Sequence, residues 1–110
     1  MWLLTTRGFY SVVADLDDAD RLLVRARVED DLLALRDLLP AIDPWLDRDA
    51  DYPWRAKVSR EDWAAVAAAL AGEIDYRDFK NAVADRQGRE RAWVYAGVWE
   101  TLRELETGPR

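Results

Sequence analysis

Two short stretches, "VRARV" at 24–28 and "WRAKV" at 54–58, constrain this chain more than any other feature in it. A β-strand sends successive side chains to opposite faces. Val24, Ala26 and Val28 therefore share one side, and Arg25 and Arg27 the other. In the second stretch Trp54, Ala56 and Val58 oppose Arg55 and Lys57 in the same way. A helical pattern begins directly after each stretch. The apolar sides are therefore predicted to meet those helices, which leaves Arg25, Arg27, Arg55 and Lys57 on one opposite face.

The flanking sequence completes an α+β plan. "WLLTT" at 2–6 is apolar and partly β-branched, and Arg7-Gly8 is a turn. "FYSVVA" at 9–14 has strand composition. "DLDDAD" at 15–20 is a polar turn that returns the chain antiparallel. "EDDLLALRDLLP" places acidic residues in a first helical turn, where the helix dipole favours them. Leu32, Leu35, Leu38 and Leu39 form its apolar stripe, and Pro40 stops it. "AIDPWLDRDADYP" is a loop or weak edge strand. Ser59, with Asp62 three residues on, is close to a capping box. It opens a second helix whose inner face is Trp63, Val66, Ala67 and Leu70 and whose end is Gly72. "IDYRDFKNAVADRQG" is a third helix with Tyr76, Phe79 and Val83 inward, closed by Gly88. "RERAWVYAGVWETLREL" is a fourth, with Trp93, Val94, Val98, Trp99, Leu102 and Leu105 as its apolar face. The expected fold is an antiparallel sheet of three to five strands with helices on one face. It is a permuted ferredoxin-like ββαββα plan with two added C-terminal helices. Residues 1–106 form a single domain and 107–110 a frayed tail.

Composition excludes several chemistries. The chain has no cysteine and no histidine. That removes thiol nucleophiles, Ser–His–Asp catalysis and the commonest zinc, iron and copper ligands. Its glycines are scattered singly, so no phosphate loop is present. "DRDADY" alternates aspartates as an EF-hand does, but Tyr52 stands where the glycine belongs and Val58 where the bidentate glutamate belongs. No cofactor, metal or catalytic residue is assigned. No stretch approaches the roughly 20 apolar residues that span a bilayer, and the N-terminus lacks the pattern of a secretory signal. A cytoplasmic protein without membrane contact is expected. The net charge of −6 makes nucleic acid an unfavoured partner.

Cations gathered on one sheet face repel one another unless an anion screens them. The screen is a ligand phosphate or carboxylate, nucleic acid, a partner's acidic surface, or the chain's own 22 acidic residues. Tyr10 or Ser11 joins the cluster, depending on register. Lys80 and Asn81 join it if the third helix folds across the open side of the sheet, and Tyr10 or Tyr76 is the candidate proton donor should the site be an enzyme's. The candidate ligand-binding set is therefore Tyr10, Ser11, Arg25, Arg27, Arg55, Lys57, Tyr76 and Lys80.

"MWLLTTRGFYSVV", "LLVRARVEDDL", "ADYPWRAKVSREDW" and "EIDYRDFKNAV" together resemble a family of short bacterial proteins. Its members open with MW-[LF]-x-T-x-x-GF-[FY]-S-[VI]-V and carry DYP-[YFW]-R and IDY-x-x-FK. The resemblance extends to about Leu102. It includes Gly8, Phe9, Ser11, Val13, Arg25, Asp51, Tyr52, Arg55, Asp75, Tyr76, Phe79 and Lys80. It implies a bacterial, cytoplasmic, single-domain protein and assigns no reaction. The leading expectation is a small binding or interaction module, self-association through the sheet included. A small enzyme or sensor for an anionic metabolite is the alternative. An RNA-binding sheet using Trp2, Phe9 and Tyr10 ranks third.

Overall fold

The computed structural model describes residues 1–108. The chain divides into two compact units, Met1–Asp75 and a second from Tyr76 on.

The first unit is α+β. Strands β1 (Trp2–Leu4), β2 (Phe9–Ala14), β3 (Arg21–Ala26), β4 (Trp45–Leu46) and β5 (Trp54–Ser59) form one open antiparallel sheet in the order β1-β2-β3-β5-β4. Helix α1 (Glu29–Leu33) follows β3, and α2 (Arg60–Gly72) follows β5 without a loop. The sheet's inner face carries Tyr10, Val12, Val24, Ala26, Ala56 and Val58. These pack with Leu32, Leu35, Ile42, Trp63 and Val66 into one buried core. A large aliphatic or aromatic side chain buried there contributes about 2 kcal/mol. The alternation in the two arginine-bearing strands thus assigns its apolar members to the helical side.

Local signals explain most element boundaries. The Ser59 hydroxyl accepts the Asp62 N–H at 3.0 Å and starts α2. Trp63 and Val66 are its buried residues, and its last residue is Gly72. The weak edge strand is real but only two residues long, pairing Trp45 with Arg55 and Leu46 with Trp54. Its return loop is closed by the Asp47 N–H on the Pro53 carbonyl, 2.7 Å.

The first helix is shorter than its leucine stripe implies. Beyond Leu33 the N–H groups of Leu35, Arg36 and Leu38 donate to carbonyls three residues back rather than four. The Ala34 carbonyl, which a continuing α-helix would pair with Leu38, accepts the Arg7 guanidinium instead, at 2.6 Å.

The second unit holds α3 (Phe79–Gln87), α4 (Arg89–Leu102) and a 3-10 turn over Arg103–Thr107. Helix α3 begins at Phe79 and not at Ile74. Asp78 caps it, its carboxylate accepting the Asn81 N–H at 3.2 Å. Gly88, at φ +97°, separates the two helices in a conformation that suits glycine. The stripe Tyr76, Phe79 and Val83 does pack: Tyr76 lies 5.8 Å from Phe79, Phe79 stacks on Tyr95 at 5.8 Å, and Val83 is buried.

The expected inner face of α4 is corrected. Its buried residue is Tyr95, whereas Trp93, Val94, Trp99, Leu102 and Leu105 are exposed. The Tyr95 ring meets the Phe79 ring, which turns the opposite side of α4 to solvent. Of the expected frayed tail, residues 109 and 110 lie outside those described, and the Thr107 hydroxyl donates to the Glu104 carbonyl at 2.8 Å.

Candidate functional site

Register decides which side chains meet on the outer face of the sheet. Ser11 lies opposite Arg25, Arg25 opposite Arg55, and Arg55 opposite Trp45. Trp2 lies opposite Ser11. Directly opposed residues point to the same face. Trp2, Ser11, Arg25, Arg55 and Trp45 therefore form one unbroken row across all five strands. At about 4.8 Å per strand the row is roughly 19 Å long.

Each arginine is anchored by neutral acceptors of the sheet or its loop. Arg25 donates from Nη2 to the Ser11 hydroxyl at 2.7 Å and from Nε to the Ser11 carbonyl at 3.4 Å. Arg55 donates from Nε to the Tyr52 carbonyl at 3.1 Å. Arg27, just beyond β3, donates to the Asp51 carbonyl at 2.5 Å. The buried Tyr52 ring supports both neighbours: the Arg25 guanidinium lies 4.6 Å from its centroid and that of Arg27 4.1 Å. Such stacking fixes the plane of the fork. Phe9 extends the aromatic strip, 6.3 Å from Tyr52 and edge-on to Trp2 at 5.9 Å.

The anionic partner of the central pair is Asp51. Its Oδ1 stands 4.0 Å from Arg25 Nη1 and 3.7 Å from Arg55 Nη2. Those are ion-pair distances, not hydrogen bonds. Lys57, one step along the same face, pairs with Asp15 at 3.3 Å and Asp17 at 4.0 Å. The Asp15 carboxyl lies below the usual carboxylate range. The Asp17 N–H it accepts does most of this, and Lys57 adds to it against the opposing effect of burial. It therefore stays anionic and neutralises the lysine.

Of the expected site residues, Ser11, Arg25, Arg27, Arg55 and Lys57 meet on this face. Tyr10 does not, and its placement in the set is corrected. The same register that puts Ser11 beside Arg25 sends Tyr10 inward, where its hydroxyl donates to the Asp31 carbonyl at 2.7 Å. Tyr76 and Lys80 belong to the second unit, where Tyr76 packs on Phe79 and the Lys80 ammonium sits 4.8 Å over Trp99. Asp51 and Tyr52, which the resemblance includes, are absent from the expected binding set because their partners lie on strands distant along the chain.

A second cluster has no local signature at all. The Arg7 guanidinium is buried and every N–H is used. Asp37 takes two at 2.5 and 2.9 Å, the Ala34 carbonyl takes one at 2.6 Å, and Glu73 grips Nε and Nη2. Glu73, then Asp37, hold the guanidinium firmly in its charged form. Its partners lie 27, 30 and 66 residues away, which is why the sequence offers only an Arg-Gly turn.

Among the described residues no helix is long and apolar enough to cross a membrane. Comparison with protein-family models, with curated proteins and with solved structures finds no match.

Proposed function

We propose that this chain is a non-enzymatic binding module that takes an acidic, extended peptide segment on the outer face of its sheet. The observation that carries the reading is the row Trp2–Ser11–Arg25–Arg55–Trp45. Two like charges set directly opposite are unfavourable unless an anion lies between them. The forks of Arg25 and Arg55 keep terminal N–H groups with no hydrogen-bond acceptor among the described residues. Planar forks of this kind suit a carboxylate. The two exposed tryptophans at the ends of the row supply the aromatic contact area that binding surfaces concentrate.

Span favours a peptide over a small metabolite. Roughly 19 Å corresponds to about six extended residues, and a metabolite held between the arginines would leave both tryptophans idle. Charge disfavours the other partners. Face-to-face self-association would set arginine against arginine. Nucleic acid meets a net charge of −6. On the architectural side, the order β2-β3-β5-β4, with a helix after β3 and another after β5, supports a permuted ferredoxin-like plan carrying β1 as an added edge strand.

Fluorescence anisotropy with a labelled peptide alternating glutamate and leucine tests the reading. Binding is expected at low ionic strength and should weaken with added salt. Replacing both arginines together, Arg25→Gln with Arg55→Gln, should weaken it by at least about tenfold, 1.4 kcal/mol. A lysine–leucine peptide should not bind. Equal affinity for the two peptides, or an unchanged affinity in the double variant, would sink the proposal.

A further inference from the structure

The two guanidinium clusters of this protein are built differently, and the difference has a meaning. Around Arg7 the carboxylates close to hydrogen-bond distance and use up every donor. Around Arg25 and Arg55 the single carboxylate stops at 4.0 and 3.7 Å. Asp51 is held there by contacts other than those to Arg25 and Arg55. Its Oδ1 accepts the Tyr52 N–H at 2.9 Å, and its own carbonyl receives Arg27. The loop backbone thus parks a negative charge beside the pair without filling the forks. The side chain of Asp51 is 70 % exposed, whereas those of Arg25 and Arg55 are 16 % and 19 % exposed. The carboxylate is therefore the solvent-facing member of the trio, and the cations are the members packed against the sheet.

We propose that Asp51 is an internal stand-in for the partner's carboxylate: it screens Arg25 and Arg55 in the free protein and is displaced when an acidic segment binds. The inference rests on the reading of this face as a site for an acidic peptide, and it adds a regulatory element to that site. A stand-in keeps two opposed arginines compatible with folding when no partner is present. It also sets a threshold, because an incoming carboxylate must outcompete a tethered one. Weakly acidic surfaces are rejected by this means, and strongly acidic ones are admitted.

Asp51→Asn isolates the effect. Asparagine keeps an oxygen for the Tyr52 N–H and removes only the charge. In the anisotropy titration with the glutamate–leucine peptide, Asp51→Asn should bind about fivefold tighter than the parent, the factor expected for releasing one surface ion pair. Asp49→Asn is the control for net charge: Asp49 is an exposed neighbour in the same loop and makes no ion pair with either arginine. Its affinity should stay within about twofold of the parent's, the effect of one screened surface charge. If the parent binds and Asp51→Asn binds no tighter, or if Asp49→Asn gains as much, the stand-in is wrong and the binding face stands. If neither the parent nor Asp51→Asn binds the peptide, the face itself has been misread, and the stand-in falls with it.

Discussion

Arg7→Met should lower the stability of the fold by about 3 kcal/mol, the cost of taking one partner from a buried ion cluster. Methionine fills much of the volume but donates nothing. The Ala34 carbonyl would lose the N–H that donates to it, and Asp37 and Glu73 would be left without their cation. The value sits at the low end of the range for broken buried pairs because Asp37 remains 65 % exposed and can rehydrate. Arg7→Lys should recover little of the loss, since one ammonium cannot span three acceptors arranged around a planar fork. Urea denaturation with a common slope for parent and variants measures both changes. A loss below about 1 kcal/mol for Arg7→Met would mean that the cluster is a surface ornament, of the kind usually worth that little.

The neighbouring residue gives the second large effect. Gly8→Ala should cost about 2 kcal/mol through overpacking. The backbone there needs no left-handed conformation. The cause is space: an added Cβ would lie 2.5 Å from Asp31 Cγ and 2.7 Å from Asp31 Cβ. Asp31 cannot step aside freely. It is buried in the first turn of α1, its carboxylate accepts the Phe9 N–H at 3.0 Å, and its carbonyl receives the Tyr10 hydroxyl. Moving it shifts α1 against the sheet. A double-mutant cycle tests the mechanism. Combining Gly8→Ala with Asp31→Gly, which removes every obstructing atom, should destabilise less than the two single changes added together, by at least about 0.5 kcal/mol. Strict additivity would place the cost of Gly8→Ala somewhere other than the Asp31 contact.

How far the sequence revealed this structure depends on how many answers each pattern allowed. In β5 only one parity is apolar, and in β3 Leu23 is the single apolar residue on the arginine parity, so the alternation named the inner residues, and the helices that follow named the inner side. Strand β2 carries apolar residues at both parities, Tyr10 and Val12 on one, Phe9 and Val13 on the other. Its face was settled by pairing with β3, through a hairpin whose turn is built from Asp15 and Asp18. Helix α4 is apolar nearly all round, and periodicity could not choose between Tyr95 and its neighbours. The end of α1 was hidden for a different reason. The leucine stripe continues past Leu33, but the carbonyl that would continue the helix is claimed by Arg7 from across the fold. At the candidate site the arginines were legible because they sit on regular strands. Asp51 and Tyr52 were not, since a loop's position over a sheet follows from tertiary contacts.

The reach of Arg7 also bears on the order of events in folding. Its acceptors come from the segment after α1 and from the cap of α2, the farthest of them 66 residues down the chain. Closing so long a segment costs entropy, and that cost is recovered only once β5 and α2 have docked. The guanidinium cluster therefore closes after the rate-limiting nucleus, among the last tertiary contacts to form. A residue of this kind leaves the folding rate alone and governs escape from the native state. Stopped-flow chevrons of Arg7→Met should superpose on the parent's along the refolding arm and lie above it along the unfolding arm. The Arg-Gly turn between the first two strands then acts as a latch on the lifetime of the finished fold.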